Sequence, residues 1–241
     1  MREVKSEAVV LSTMDVFDAD RLYLLYTREF GKIRARAKGV RRPTSRLTGH
    51  LLSFLPTELG LVKQGDFFLI IQAHMLPGAA YPDDTLSFLQ YGEQVAEAVD
   101  KLLVDQEAHP AIYDALAYTL ERLHETHIPE LVTAEFFVKC LIALGYRPEL
   151  ERSVLGEEEL DPENLGWNSE IGGVFTIPAG GLPVGSRRVQ SAKSIVVLRQ
   201  LTRPEFVGER LGMGEDVQHE VMMLVRDYIQ TVIGKPLKSL S

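Results

Sequence analysis

Residues 32–38 read Lys32-Ile33-Arg34-Ala35-Arg36-Ala37-Lys38, a strict alternation of cations with small apolar residues. A β-strand turns successive side chains to opposite faces, so Ile33, Ala35 and Ala37 share one face and all four cations the other. Such a strand needs an apolar interior behind it, and its neighbours supply one. Val4–Leu11, Leu22–Thr27, Lys32–Gly39, Phe54–Val62 and Phe67–Met75 are strand-like runs, separated by turn residues such as Gly31 and Gln64-Gly65-Asp66. Five short strands suit a small closed barrel, of which the OB-fold is the commonest five-stranded form. A sandwich edge is the other arrangement these runs fit.

The cations continue past the strand. Gly39-Val40-Arg41-Arg42-Pro43-Thr44-Ser45-Arg46 adds three more on a loop, and between Arg28 and Arg46 eight basic residues face one acid, Glu29. That segment carries +7, whereas the whole chain of 241 residues carries −8. Residues 1–80 hold 12 basic and 8 acidic side chains, and residues 81–241 hold 14 against 26. Overall charge alone would argue against a polyanionic partner. Its distribution argues for one, approaching the barrel and avoiding the acidic remainder.

Cations on one strand face recur about every 6.6–7 Å, near the phosphate spacing of an extended single strand. Neutralising phosphates in this way releases counterions and gives sequence-independent, salt-sensitive binding. Lys32, Arg34, Arg36, Lys38, Arg41, Arg42 and Arg46 are therefore the candidate nucleic-acid-binding residues, with Tyr23, Tyr26, Phe30 and Phe54 as candidate stacking aromatics. The plainer reading is a solvated edge strand protected by charge. Arginine predominates here, and its planar fork matches a phosphate, which favours the binding reading. Arg187, Arg188 and Lys193 form a smaller second cluster that reads as a contact for a second strand or as a solvated loop.

After Pro77-Gly78 the hydrophobic period changes to that of helices. Leu86, Leu89, Val95, Val99 and Leu102 make one stripe, with Asp83 or Asp84 as cap; Ile112, Leu116, Leu120 and Leu123 make a second. Ala134, Phe137, Val138, Leu141 and Leu144 form a third, stopped by Gly145. Val217, Val221, Leu224, Val225, Tyr228 and Val232 form the last, closed by Gly234 and Pro236. Between Arg147 and Val189 lies an irregular stretch with the acidic run Glu157–Glu159, read as a small subdomain or a mobile insertion. The expected class is α+β with more than one domain. Residues 1–80 make the nucleic-acid-binding barrel, and residues 81–241 a mainly helical domain with a cysteine-free insertion at about 147–190.

Several chemistries find no support. Apolar runs such as Phe67–Ile71 and Ile195–Leu198 fall far short of the ~20 residues a membrane span needs. The polar start Met1–Lys5 leads straight into a strand-like segment, so no secretory signal is expected, and a soluble cytoplasmic protein is. The one cysteine, Cys140, excludes an intrachain disulfide and a Cys-cluster zinc site, and its apolar helical stripe makes it a core thiol. Gly234-Lys235-Pro236 is no P-loop, and Gly212-Met213-Gly214 lacks the third glycine of a dinucleotide fingerprint. His124-Glu125-Thr126-His127 has its histidines three apart, where a zinc protease needs four. Two metal ligands on a helix face would make a small hydrolase; a polar helix end is the plainer reading. Asp15, Asp18 and Asp20 read as a hairpin turn rather than a calcium loop. No nucleophile, acid and base assemble, so no enzyme and no cofactor are expected.

Four segments carry a resemblance: Thr27-Arg28-Glu29-Phe30-Gly31-Lys32, Ala37-Lys38-Gly39-Val40-Arg41-Arg42, Leu144-Gly145-Tyr146-Arg147-Pro148-Glu149-Leu150, and the tail from Glu220 through Tyr228-Ile229 to Leu237-Lys238-Ser239. In order and spacing the chain resembles, over essentially its whole length, the bacterial RecO recombination-mediator family. The resemblance implies a DNA repair protein that binds single- and double-stranded DNA and anneals complementary strands. It further implies cooperation with RecR to load RecA onto DNA coated by single-strand binding protein, whose C-terminal tail the family contacts. It places DNA binding on the basic barrel residues named above and implies a nucleoid-associated location. The alternative is an adaptor whose basic strand binds an acidic protein tail instead of DNA. Many members carry a four-cysteine zinc module after the Gly-Tyr-x-Pro-Glu-Leu segment. Here Ser153 and Gly156 stand in place of its first pair, and the later pair is missing near Gly172-Gly173, so packing around Trp167 and Phe175 is expected instead of zinc.

Overall fold

The computed structural model describes residues 3–156, 158–203 and 213–240. Glu157 of the acidic run, Gly212 of Gly212-Met213-Gly214, and Met1 and Arg2 lie outside the described residues. The chain divides into two compact units, residues 1–125 and 126–241.

In the first unit, strands β1 (Glu3–Val16), β2 (Asp20–Thr27), β3 (Gly31–Ala37), β4 (Pro56–Gln64) and β5 (Phe67–Met75) close into a barrel in the order β1-β2-β3-β5-β4. β4 returns to pair with β1, and β3 pairs with β5 in parallel at Ala35–Phe68 and Arg36–Leu69. The period-two pattern sends Ala8, Val10, Tyr23, Leu25, Ile33, Ala35, Ala37, Leu59, Leu61, Phe68 and Ile70 inward. Register shifts between Val10 and Ser12 and between Gly60 and Leu61 are the bulges that let so small a sheet curl shut. Closure answers the edge-strand reading of β3. Both of its sides are paired, so its charges do not guard an open edge.

Two helices complete this unit, α1 (Thr85–Leu102) and α2 (Pro110–Arg122). Asp84 caps α1, its carboxylate accepting from Ser87 N at 3.1 Å. The buried face of α1 runs through Phe88, Gly92, Val95, Ala96 and Val99, and Leu86 is exposed rather than part of it. α1 packs on β1, and a Cβ at Gly92 would come within 2.6 Å of the Phe54 ring, so the helix lies directly against that aromatic. The compact unit thus runs well past residue 80, where the hydrophobic period changes.

The second unit is built on α3 (Pro129–Ala143), α4 (Ala192–Leu201) and α5 (Glu215–Ile233), with α5 packed on the other two. Gly145, at φ +88°, takes the left-handed position that stops α3. The stretch after Arg147 is ordered around a three-stranded antiparallel sheet in the order β7-β6-β8, from β6 (Leu165–Asn168), β7 (Gly173–Thr176) and β8 (Ser186–Arg188). Trp167 and Phe175 are buried in it, and Trp167 meets the Tyr228 ring edge-on at 5.8 Å. α4 was visible in sequence only as the apolar run Ile195–Leu198. Its start is held from α5 by the buried carboxylate of Glu220, which accepts from Ser191 N at 3.0 Å and Ser194 Oγ at 2.6 Å.

Among the described residues no helix is long and apolar enough to cross a membrane. The residues present do not fit a thiolate zinc site. Cys140 is buried in α3, where burial pushes its thiol up, and Ser153 Oγ accepts from Leu155 N within its own turn. His124 and His127 lie on the connection between α2 and α3 rather than on a helix face, and His124 packs edge-on to Phe88 at 4.9 Å. No cluster of three metal-ligating side chains occurs among the described residues.

Candidate nucleic-acid interface

The alternation of β3 holds: Ile33, Ala35 and Ala37 are buried inside the barrel and the cations project outward. What lies outside the barrel then separates them. The carbonyl of Lys32 accepts from Gln106 N at 2.8 Å, and the chain after α1 runs along this end of the strand. Gly31, at φ +64°, makes the approach possible, because a Cβ there would stand 1.9 Å from the carbonyl oxygen of Glu107.

Lys32 is consequently covered. Its side chain is 7% exposed, and Nζ donates to the Asp100 carbonyl at 2.6 Å and faces Asp105 Oδ1 at 3.1 Å. The expectation that Lys32 faces solvent with the other cations is corrected here. Its ammonium is spent on acids of the same unit, some seventy residues away. Arg28 is used similarly, gripping both oxygens of Asp114 on α2 and lying over the Tyr113 ring. Tyr113 in turn stacks on Tyr26, and burial pushes its phenol up.

The other end of the strand is open. Arg34 pairs with Asp105 at 2.5 Å but stays 48% exposed. Arg36 bonds Asp20 Oδ2 through Nε at 2.7 Å, while the other oxygen of Asp20 accepts from Gly39 N at 2.7 Å. The Gly39 amide and then the Arg36 guanidinium hold the Asp20 carboxyl below the usual carboxylate range. Asp15 is held down by the Arg21 guanidinium, with Nε at 2.7 Å, and Arg41 approaches it at 3.3 Å. Ala19 O accepts from Arg41 N at 3.0 Å, which ties the cationic loop to the β1–β2 turn. Val40, buried in the barrel core, pins that loop from below. Lys38, Arg42 and Arg46 are exposed and make no ion pair among the described residues.

Three of the four aromatics read from sequence are buried: Tyr23 and Tyr26 almost wholly, Phe54 against α1. Phe30 is half-buried against Phe68. Phe67, at the start of β5, is 50% exposed. The most exposed aromatic beside these cations, among the described residues, is Phe17, in the turn between β1 and β2, 75% exposed with the Arg36 guanidinium over its ring at 4.6 Å. Only its position inside an acidic turn, Asp15-Val16-Phe17-Asp18, hinted that it has no core to enter. In the second unit, the Arg187-Arg188-Lys193 cluster is partly committed. Arg187 pairs with Asp227 at 2.9 Å, and Arg188 Nη1 donates to Asn164 Oδ1 at 3.0 Å.

Family models for the recombination protein O N-terminal and C-terminal regions match residues 1–76 and 85–241. The chain belongs to the RecO family. Among its RecO relatives, a DNA repair protein RecO of Prosthecochloris aestuarii is 31% identical over 93% of this chain and 90% of its own length. One of Bifidobacterium adolescentis is 29% identical over 98% and 97%, and one of Dehalococcoides mccartyi 26% identical over 99% and 94%. The RecO N-terminal match coincides with the barrel, and the RecO C-terminal match begins at the first residue of α1.

Proposed function

We propose that this RecO-family chain is a non-enzymatic recombination mediator that binds single- and double-stranded DNA through the open face of its barrel. Arg34, Arg36, Lys38, Arg41, Arg42 and Arg46 take the phosphates, and Lys32 does not. The observation that carries the reading is the group Lys38, Arg42 and Arg46, exposed and making no ion pair among the described residues, on a loop anchored in the barrel core by Val40. Arg34, Arg36 and Arg41 flank it. The Arg34–Asp105 and Arg41–Asp15 pairs are exposed and worth little, so phosphates exchange with Asp105 and Asp15 readily. Arg36 keeps the more buried Asp20 as its partner and offers phosphate the exposed part of its guanidinium. Neutralised strands can be held close enough to pair, which needs no acid or base.

The barrel within residues 1–80 serves as the DNA-binding domain, and residues 81–241 supply rigidity and protein contacts. On this reading the protein works in the cytoplasm with RecR to help load RecA onto DNA coated by single-strand binding protein, whose C-terminal tail it contacts. Strand annealing on oligonucleotides coated with single-strand binding protein, with and without RecR, tests it. Annealing by this chain, enhanced or redirected by RecR, is the expected result. Absence of salt-dependent binding to bare oligonucleotide, alongside retained binding of an acidic peptide, would favour the adaptor instead.

A further inference from the structure

Phe17 occupies a position that two separate effects disfavour. It stands at φ +53°, a conformation that bulky side chains rarely adopt, and three-quarters of its surface faces water. A turn residue such as glycine or asparagine would avoid both penalties. Its surroundings are as specific. Arg36 covers one face of the ring at 4.6 Å, and Arg36 is itself fixed by Asp20. The neighbouring Ala19 carbonyl holds the backbone of Arg41, so the turn and the cationic loop are one connected surface. A strained, solvent-facing aromatic fixed among phosphate-seeking cations fits one ligand chemistry best, a flat π-system joined to a polyanion.

We propose that Phe17 is a stacking platform for an unpaired nucleobase, and that it makes this surface prefer single strands to duplex. The inference rests on the reading of the barrel face as a DNA interface. A base in a duplex is stacked on both sides and offers no free face, whereas an unpaired base on Phe17 leaves its phosphates within the reach of the loop cations. The ring is neutral, so its part in binding is separable from theirs: it adds affinity without adding to the salt dependence.

The test measures equilibrium binding of the full chain to three probes: a single-stranded oligonucleotide, an abasic strand of equal length and a blunt duplex. Phe17→Ala should weaken single-strand binding about 5- to 150-fold, the range for loss of one stacked base. Duplex affinity and the salt slope should not change, and Phe17→Tyr should restore the loss. The abasic strand should bind the unaltered chain more weakly and should not distinguish Phe17→Ala from it. Salt-dependent binding that is intact in both the unaltered chain and Phe17→Ala would overturn the stacking platform alone. An equal fall on single strand and duplex would also overturn it. Failure of the unaltered chain to bind any probe would overturn the interface, and the platform with it.

Discussion

Lys32 Nζ and Asp105 Oδ1 stand 3.1 Å apart, a contact that joins a buried ammonium to a carboxylate still 41% exposed. With Lys32 almost fully buried, Lys32→Ala leaves the Asp100 carbonyl without its donor and the Asp105 carboxylate with Arg34 alone. Breaking a buried pair costs about 3–5 kcal/mol, and the partial exposure of Asp105 brings the expectation here down to about 2 kcal/mol. Chemical denaturation should show that loss. In the folded variant the salt dependence of DNA binding should match that of the unaltered chain, which separates Lys32 from its neighbours on β3.

Lys38, Arg42 and Arg46 should behave in the opposite way. Replacing any one with glutamine should lower the slope of log K against log salt by about 0.7 on single-stranded DNA. The midpoint of unfolding should hardly move, since these side chains make no ion pair among the described residues. Titration at several salt concentrations reads the slope directly. A variant that loses affinity with an unchanged slope would show that its cation meets no phosphate.

Gly31 makes the seam around Lys32 possible. Gly31→Ala introduces a Cβ at positive φ and 1.9 Å from the Glu107 carbonyl oxygen, so the backbone on both sides must move. A destabilisation of at least about 2 kcal/mol is expected, from the left-handed conformation together with the clash. Amide exchange should quicken at Gln106, whose N–H bonds the Lys32 carbonyl.

Asp20 gives the barrel an acid-sensitive element. Its carboxyl lies below the usual 3.8 because the Gly39 amide and the Arg36 guanidinium favour the charged form. A carboxyl depressed in the folded state stabilises the fold above its unfolded pKa, and the contribution disappears as pH falls through the folded value. Asp20→Asn should therefore be less stable than the unaltered chain at neutral pH, and the gap should narrow below about pH 4. Thermal unfolding across that range tests the sign.

At Phe17 the backbone contribution can be isolated by comparing two substitutions that both remove the ring. Phe17→Gly accommodates φ +53° without strain and Phe17→Ala does not. The glycine variant should be the more stable of the two by about 1 kcal/mol, and equally poor at binding single strands. Equal stabilities would mean that the turn relaxes away from the left-handed conformation when the ring is gone.

The alternation in residues 32–38 is a local property, and the inward Ile33, Ala35 and Ala37 follow from it directly. The five strands and the α2, α3 and α5 stripes were legible for the same reason, since each depends on periodicity within a short window. The fate of Lys32 was not. It depends on Asp100 and Asp105, brought against β3 by the packing of α1, and nothing near Lys32 in sequence encodes that approach. Tyr23, Tyr26 and Phe54 failed as stacking candidates because aromatic identity does not say that Tyr23 faces the barrel interior or that helices cover Tyr26 and Phe54. The small sheet of β6, β7 and β8 escaped notice because strands of three or four residues show too little periodicity, and only Trp167 and Phe175 marked its core.

The burial of Trp167 has a practical consequence for every unfolding experiment above. It is the chain's one tryptophan, and it lies in the second unit, edge-on to Tyr228. Its emission therefore reports directly on residues 126–241, whereas far-ultraviolet dichroism reports on both units at once. Superimposable curves from the two probes would show that the halves melt as one cooperative body. Curves that separate would show that the DNA-facing half melts at its own midpoint.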